Sequence, residues 1–253
     1  VYDDSGRPRL ELPWSSGQSA GSAAGSEEEP PDANLTIQEP ERTDVRAVRL
    51  PVGPLTDWAE AWAQASDGHS GCNAAVYTVK APDGSVYLDS QAVLPGALKT
   101  VEGTGAAVGD MLKADGVYAV AEIACFRDPI AASAELESMG LKNTGGYVFY
   151  DRNGDRWLDP AKPAARQYLI DLASGCAAMG FDEILLTDVS YPTEGKLNKI
   201  DYGAAAAALP GSLTDEITSF LKQMQAALAE YDVKLSVLLP ADLLLSGDST
   251  GVS

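Results

Sequence analysis

Four charged side chains stand at or near the ends of apolar runs, where folded chains gather groups that do chemistry. Lys80 closes NAAVYTVK, Glu122 lies inside VYAVAEIACF, Asp128 follows that run in FRDP, and Asp188 follows ILLT. Carboxylates placed this way can do general acid–base work. Other chemistries are short of residues. His69, in SDGHSG, is the one histidine, so a Ser–His–Asp triad or a multi-histidine metal site would hang on a single loop residue. Cys72, Cys125 and Cys176 are odd in number, far apart and without a CxxC, which excludes a disulfide scaffold or a zinc knuckle. They read as small core residues. Asp151-Arg-Asn153-Gly-Asp155 opens like a calcium loop. Its sixth position is Arg156 and its twelfth Lys162, where such loops place Gly and Glu, so it reads as a hairpin turn. No metal and no cofactor are expected.

The elements that must hold these residues alternate. Val45–Pro51, Asn73–Lys80, Val117–Phe126, Ile184–Val189 and Val233–Leu239 are strand-like apolar runs. Between them Asp57–Ala65, capped by Thr56, Ala106–Ala114, Pro163–Met179 and Leu213–Tyr231 are helix-like. Pro163 suits a first turn and Gly180 a helix stop. Asp83-Gly84 signals a tight turn before SVYLDS, and DRNGD, another hairpin signal, separates Tyr147–Tyr150 from Arg156–Leu158. Strands that are apolar throughout predict a parallel sheet buried on both faces, an α/β fold with right-handed crossovers. The first strand runs into LPVGPL without a Gly-rich phosphate turn, which speaks against a dinucleotide-binding domain.

Composition narrows the partners. The 253 residues carry 18 Lys and Arg against 37 Asp and Glu, a net charge of −19. That field repels a phosphate backbone or an anionic membrane surface, so no nucleic acid partner is expected. No run of about 18 apolar residues offers a transmembrane helix. Residues 1–44 include SSGQSAGSAAGSEEEPPDANLTIQEPE and read as a flexible stalk, leaving 45–253 as the folded domain. The start without Met or a signal peptide suggests a removed export or anchor segment, hence an extracellular, surface-anchored protein whose membrane contact lies in the missing anchor.

Four segments, NAAVYTVKAPDGSVYLDS, GVYAVAEIACFRDP, GDRWLDP and MGFDEILLTDVSYP, together resemble the glycoside hydrolase domain family of bacterial surface proteins, a barrel family distantly similar to the α-amylase group. Its members read N-A-V-V-I-D-V-K, Y-x-I-A-R-I-V-x-F-K-D-P, W-x-N/D-P-Y and G-F-D-E-I-Q-F-D-Y-V-R-F-P in that order. The resemblance implies a (β/α)₈ TIM-type barrel with its site at the C-terminal ends of the strands. Five β/α units are visible. At about 30 residues per βαβ unit, the remainder would need something near 100 residues beyond Ser253. It also implies an O-glycosyl hydrolase acting on a polysaccharide or cell-wall glycan, or a surface module of the same fold that only binds such a polymer.

Glycoside hydrolysis needs two carboxylates flanking the bond. The resemblance makes Asp128, Asp188 and Glu122 the catalytic candidates and Lys80, Arg127, Trp157, Asp159, Thr187 and Tyr191 the substrate-binding ones. Three departures from the family pattern count against catalysis: Thr78 and Thr187 stand where it has Asp, and Glu122 where it has Arg. Strand alternation points Asp188 away from the side of Thr187 unless a bulge re-aims it. Asp128 before Pro129 is equally a helix cap. Glu122, if buried, needs a partner, and Lys80 is the expected one. Asp182 and Glu183 fall at the start of their strand and read as structural. Trp157 and Tyr191 can either stack on sugar rings or pack.

Overall fold

The computed structural model describes residues 44–89, 93–94, 96–203 and 212–239. The expected stalk up to residue 43 and the C-terminal stretch from 240 lie outside them. Each expected apolar run forms a strand: β1 (Ala47–Arg49), β2 (Ala74–Lys80), β3 (Tyr118–Ala124), β5 (Glu183–Thr187) and β7 (Lys234–Val237). They lie side by side in the order β1-β2-β3-β5-β7, every pair parallel. Helices α1 (Trp58–Ser66), α2 (Thr104–Leu112), α3 (Pro129–Ala134), α4 (Pro163–Met179) and α5 (Ser212–Leu228) alternate with them. A short antiparallel pair, β4 (Lys142–Asn143) with β6 (Ile200–Asp201), forms a separate ribbon. The architecture is that of a TIM-type barrel whose sheet, over the described residues, is an open arc of five strands.

The two faces of the arc do different jobs. Ala75, Tyr77 and Val79 of β2, Ala119, Ala121 and Ile123 of β3, and Ile184 and Leu186 of β5 join the hydrophobic core with Met111, Leu169, Leu172, Ile217 and Phe220 of the helices. Phe220 meets Phe126 edge-on at 4.9 Å between centroids. Burying each ring contributes about 2–3 kcal/mol. The opposite, inner face carries Val76, Thr78, Val120, Glu122 and Thr187, all buried. In register, Thr78 sits beside Glu122, Glu122 beside Leu185, and Ala124 beside Thr187. Polar residues therefore collect where the inner face reaches the strand C-termini.

Local signals account for most element ends. Pro163 opens α4, and Gly180, at φ 99°, closes it with its N–H on the Ala177 carbonyl at 3.0 Å. Several expectations need correction. Asp57, not Thr56, caps α1, accepting from the Glu60 N–H at 2.9 Å. Val86 forms isolated bridges with Lys80 and Leu98. The Asp83-Gly84 turn itself is present, with the Ser85 N–H on Asp83 Oδ1 at 2.8 Å. Cys125 and Cys176 are core residues, whereas Cys72 is half-buried and donates to the His69 carbonyl. Burial pushes the Cys176 thiol up to about 12.

Candidate active site

A cleft of about 610 Å³ opens at the C-terminal ends of β1, β2, β3 and β5. Its wall includes Arg49, Thr78, Glu122, Arg127, Thr187 and Asp188. Glu122 projects from the inner face of β3 and is 5% exposed. Arg49 Nη1 approaches its two carboxylate oxygens at 2.7 and 2.8 Å, and the Thr78 hydroxyl donates to Oε2 at 2.9 Å. The partner expected for Glu122 was Lys80; the structure gives it Arg49 instead. Arg49 was not singled out in the sequence, although a cation at the end of the first apolar strand was the available signal.

Lys80 is diverted by an irregularity in β2. The register shifts between Thr78 and Lys80, so Lys80 pairs with Ile123 in place of Ala124. Its amine is wholly buried. It donates to the Ala124 carbonyl at 2.7 Å and lies 3.1 Å from Asp128 Oδ2, which is also wholly buried. This is an ion-pair contact; Oδ2 makes no hydrogen bond among the described residues. Asp128 Oδ1 accepts from the Ala131 N–H at 2.8 Å and caps α3. A catalytic role for Asp128 is thus not supported: its carboxylate is sealed beneath the site and does not line the cleft. Lys80 borders the cleft while its charge is spent inside the fold.

Asp188 overturns the alternation argument. Its φ is 50°, the left-handed region and the single positive φ among described non-glycine residues. The chain turns as β5 ends, so Thr187 and Asp188 both line the cleft. Arg127 Nε lies 3.5 Å from Asp188 Oδ1, and the Thr187 hydroxyl lies 3.4 Å from Oδ2. Arg127 also donates to Asp155 Oδ2 at 3.4 Å. Glu122 and Asp188 sit on neighbouring strands. Asp188 is three residues past Leu185, the partner of Glu122. At ~3.3 Å per residue and ~4.8 Å between strands, their Cα atoms are roughly 11 Å apart, a span two carboxylates can close around one sugar linkage.

The remaining candidates divide. Trp157 forms part of the wall but is 7% exposed, its indole N–H donated to Asp151 Oδ2 at 3.0 Å. It is a packed wall, not an open stacking platform. Asp151 Oδ1 accepts from the Asn153 and Asp155 N–H groups, which is the geometry of the DRNGD turn. Asp159 and Tyr191 are buried outside the cleft lining. Asp159 accepts from the Ala161 N–H at 2.9 Å, and burial holds its carboxyl above the usual range. Tyr191 packs edge-on against Tyr202, and burial raises its hydroxyl as well. Asp182 accepts from the Ala119 N–H at 2.7 Å and Glu183 from the Tyr118 hydroxyl at 3.0 Å, at the opposite end of the sheet.

Comparison with known proteins agrees with this layout. A hypothetical protein from Ruminiclostridium thermocellum ATCC 27405 has a similar fold, with a TM-score of 0.60 and 24% identity over 76% of this chain and 96% of that one. Alpha-L-fucosidase isoenzyme 2 from Paenibacillus thiaminolyticus superposes with a TM-score of 0.54 and 15% identity, covering 78% of this chain and 32% of the fucosidase. At these identities the likeness is one of fold. A search of curated protein sequences finds no match. Residues 66–243 match the family model described as "Putative glycosyl hydrolase domain", and the chain belongs to that family.

Proposed function

We propose that the cleft hydrolyses O-glycosidic bonds of a polysaccharide, with Glu122 and Asp188 as its two working carboxylates. The observation that carries this is their convergence on one cleft at the strand C-termini, each beside an arginine. Three donated contacts fix Glu122, which suits a carboxylate that faces positive charge developing at the anomeric carbon. Asp188 has the looser contacts of the two, so it is the group assigned to carry a proton to the glycosidic oxygen and release it there as the bond breaks. Water supplies the hydroxyl that ends on the anomeric carbon, and its proton returns to the carboxylate pair. A cleft of this size holds a short stretch of glycan. The composition of residues 15–44 supports placement on the cell surface, with a cell-wall glycan as the polymer in reach.

The test is reducing-end release from a panel of polysaccharides by the full chain. Asp188→Asn and Glu122→Gln should each lower kcat by at least about 100-fold with the circular dichroism spectrum unchanged. Unchanged hydrolysis in both would sink the assignment. Thr187 favours a second reading, a binding module without chemistry, because a neutral hydroxyl occupies the inward position where the family resemblance expects a carboxylate. That reading expects retained glycan binding, no turnover in the native chain, and gain of turnover in Thr187→Asp. Against it, Asp188 brings a carboxylate to within 3.4 Å of that hydroxyl.

A further inference from the structure

A second cavity, of about 670 Å³, lies beside the cleft and is lined among others by Phe149, Tyr150, Arg152, Lys196 and Lys199. Three of its residues are cationic in a chain with twice as many acids as bases. Its one acid is Asp151, whose oxygens already accept from Asn153, Asp155 and Trp157. Arg46, Arg49, Lys80, Arg127, Lys142 and Arg166 each pair with a carboxylate. Arg152, Lys196 and Lys199 pair with no described carboxylate. Three cations with no ion pair among the described residues, gathered around one concavity, favour negative charge there. Tyr150 stands at its wall 62% exposed, a flat face for a sugar ring.

The cavity is contiguous with the cleft. Asp151 lines both. A Cβ on Gly195 would lie 3.0 Å from the Arg152 nitrogen, so the 193–199 segment rests directly on the DRNGD turn. Thr193 and Glu194 line the cleft and Gly195 and Lys196 the second cavity, so this segment and Asp151 form the ridge between them, and Gly195, at φ 102°, permits the close approach.

We propose that this cavity is a subsite for anionic groups of the glycan, so that the substrate is an acidic polymer crossing the ridge from the cleft. The proposal rests on reading the cleft as a glycan site and adds the class of glycan. Carboxylate and phosphodiester share the chemistry that recognises them here: an Arg fork and two ammonium groups. The net charge of −19 does not defeat it. At physiological ionic strength charges beyond about 8 Å are largely screened, so the three local cations dominate inside the cavity.

The experiment is affinity electrophoresis of the full chain through gels containing polygalacturonate, poly(glycerol phosphate) or a neutral glucan. Retention by an acidic polymer is expected to exceed retention by the glucan and to weaken with added salt. Arg152→Gln, Lys196→Gln and Lys199→Gln combined should weaken acidic retention about tenfold, each exposed contact contributing a factor of two or so, with glucan retention unchanged. Whether the carboxylate or the phosphodiester polymer is held tells which anion the site takes. Equal retention of acidic and neutral polymers, no acidic retention, or acidic retention untouched by the triple variant would each overturn the proposal. Repeating the gels with Glu122→Gln/Asp188→Asn separates the two readings. Anion retention that survives there upholds the subsite even if the native chain hydrolyses nothing.

Discussion

Lys80→Met isolates the buried ion pair beneath the cleft. Both side chains are fully buried, with Nζ 3.1 Å from Asp128 Oδ2. Met keeps most of the aliphatic stem, so lost packing costs less than about 1.5 kcal/mol. What remains is a carboxylate without a counter-charge, plus an Ala124 carbonyl that has lost its 2.7 Å donor. Breaking such a pair from one side costs about 3–5 kcal/mol, a large part of the roughly 5–15 kcal/mol that holds a domain together. Asp128→Asn, which keeps the oxygen that caps α3, should cost a similar amount by stranding the amine. The double variant strands neither charge. It should cost less than either single variant, giving a coupling of at least about 3 kcal/mol. Urea unfolding followed by tryptophan fluorescence measures this. With a slope of about 2–3 kcal/mol per molar, each single variant moves the midpoint down by about 1–2 M. If a single variant does not fold, recovery of folded protein in the double variant carries the same sign. Single costs below about 1 kcal/mol, or strict additivity, would refute the claim that this pair is one unit.

Two further outcomes follow from neighbouring features. Gly84 has φ 83°, and a Cβ there would lie 2.4 Å from Asp128 Oδ1 and 3.0 Å from Ile130 Cβ. Gly84→Ala should destabilise by at least about 2 kcal/mol, since a left-handed alanine alone costs about 1–2 kcal/mol; an unmoved urea midpoint would contradict the clash. Asp159 has its carboxyl raised above 3.8, chiefly by burial. The folded state therefore holds its proton more tightly than the unfolded chain. The associated stability is complete below the unfolded value and is lost as pH rises through the folded one. Asp159→Asn should remove this loss, so its Tm should gain on the native chain from acid pH towards neutrality. A parallel pair of Tm curves would refute it.

The strands were legible because their composition is set by burial on both faces, and the ends of α4 because Pro163 and Gly180 act locally. The contacts at the site depend on features a one-dimensional reading does not contain. Arg49 reaches Glu122 across 73 residues, a pairing fixed by β1, β2 and β3 being neighbours in the sheet. Lys80 would share the face of Thr78 under strict alternation, and one register shift hands it to Asp128. Both departures fall at strand C-termini, where the inner face stops packing and begins to line the cleft.

Asp188 shows why the departure there is favoured. In a continued extended strand its side chain would follow Leu186 into the layer between sheet and helices, which is apolar. An unpaired carboxylate there costs several kcal/mol even after relaxation. Turning the backbone to φ 50° costs a short polar residue such as Asp only about 1 kcal/mol. The turn also delivers the carboxylate to Arg127 and to the hydroxyl of Thr187. The smaller penalty wins. The neutral residue at 187 and the left-handed residue at 188 are then one feature: the charge that the family resemblance expects at the first position is carried by the second, one residue along the chain and on the same side of the cleft.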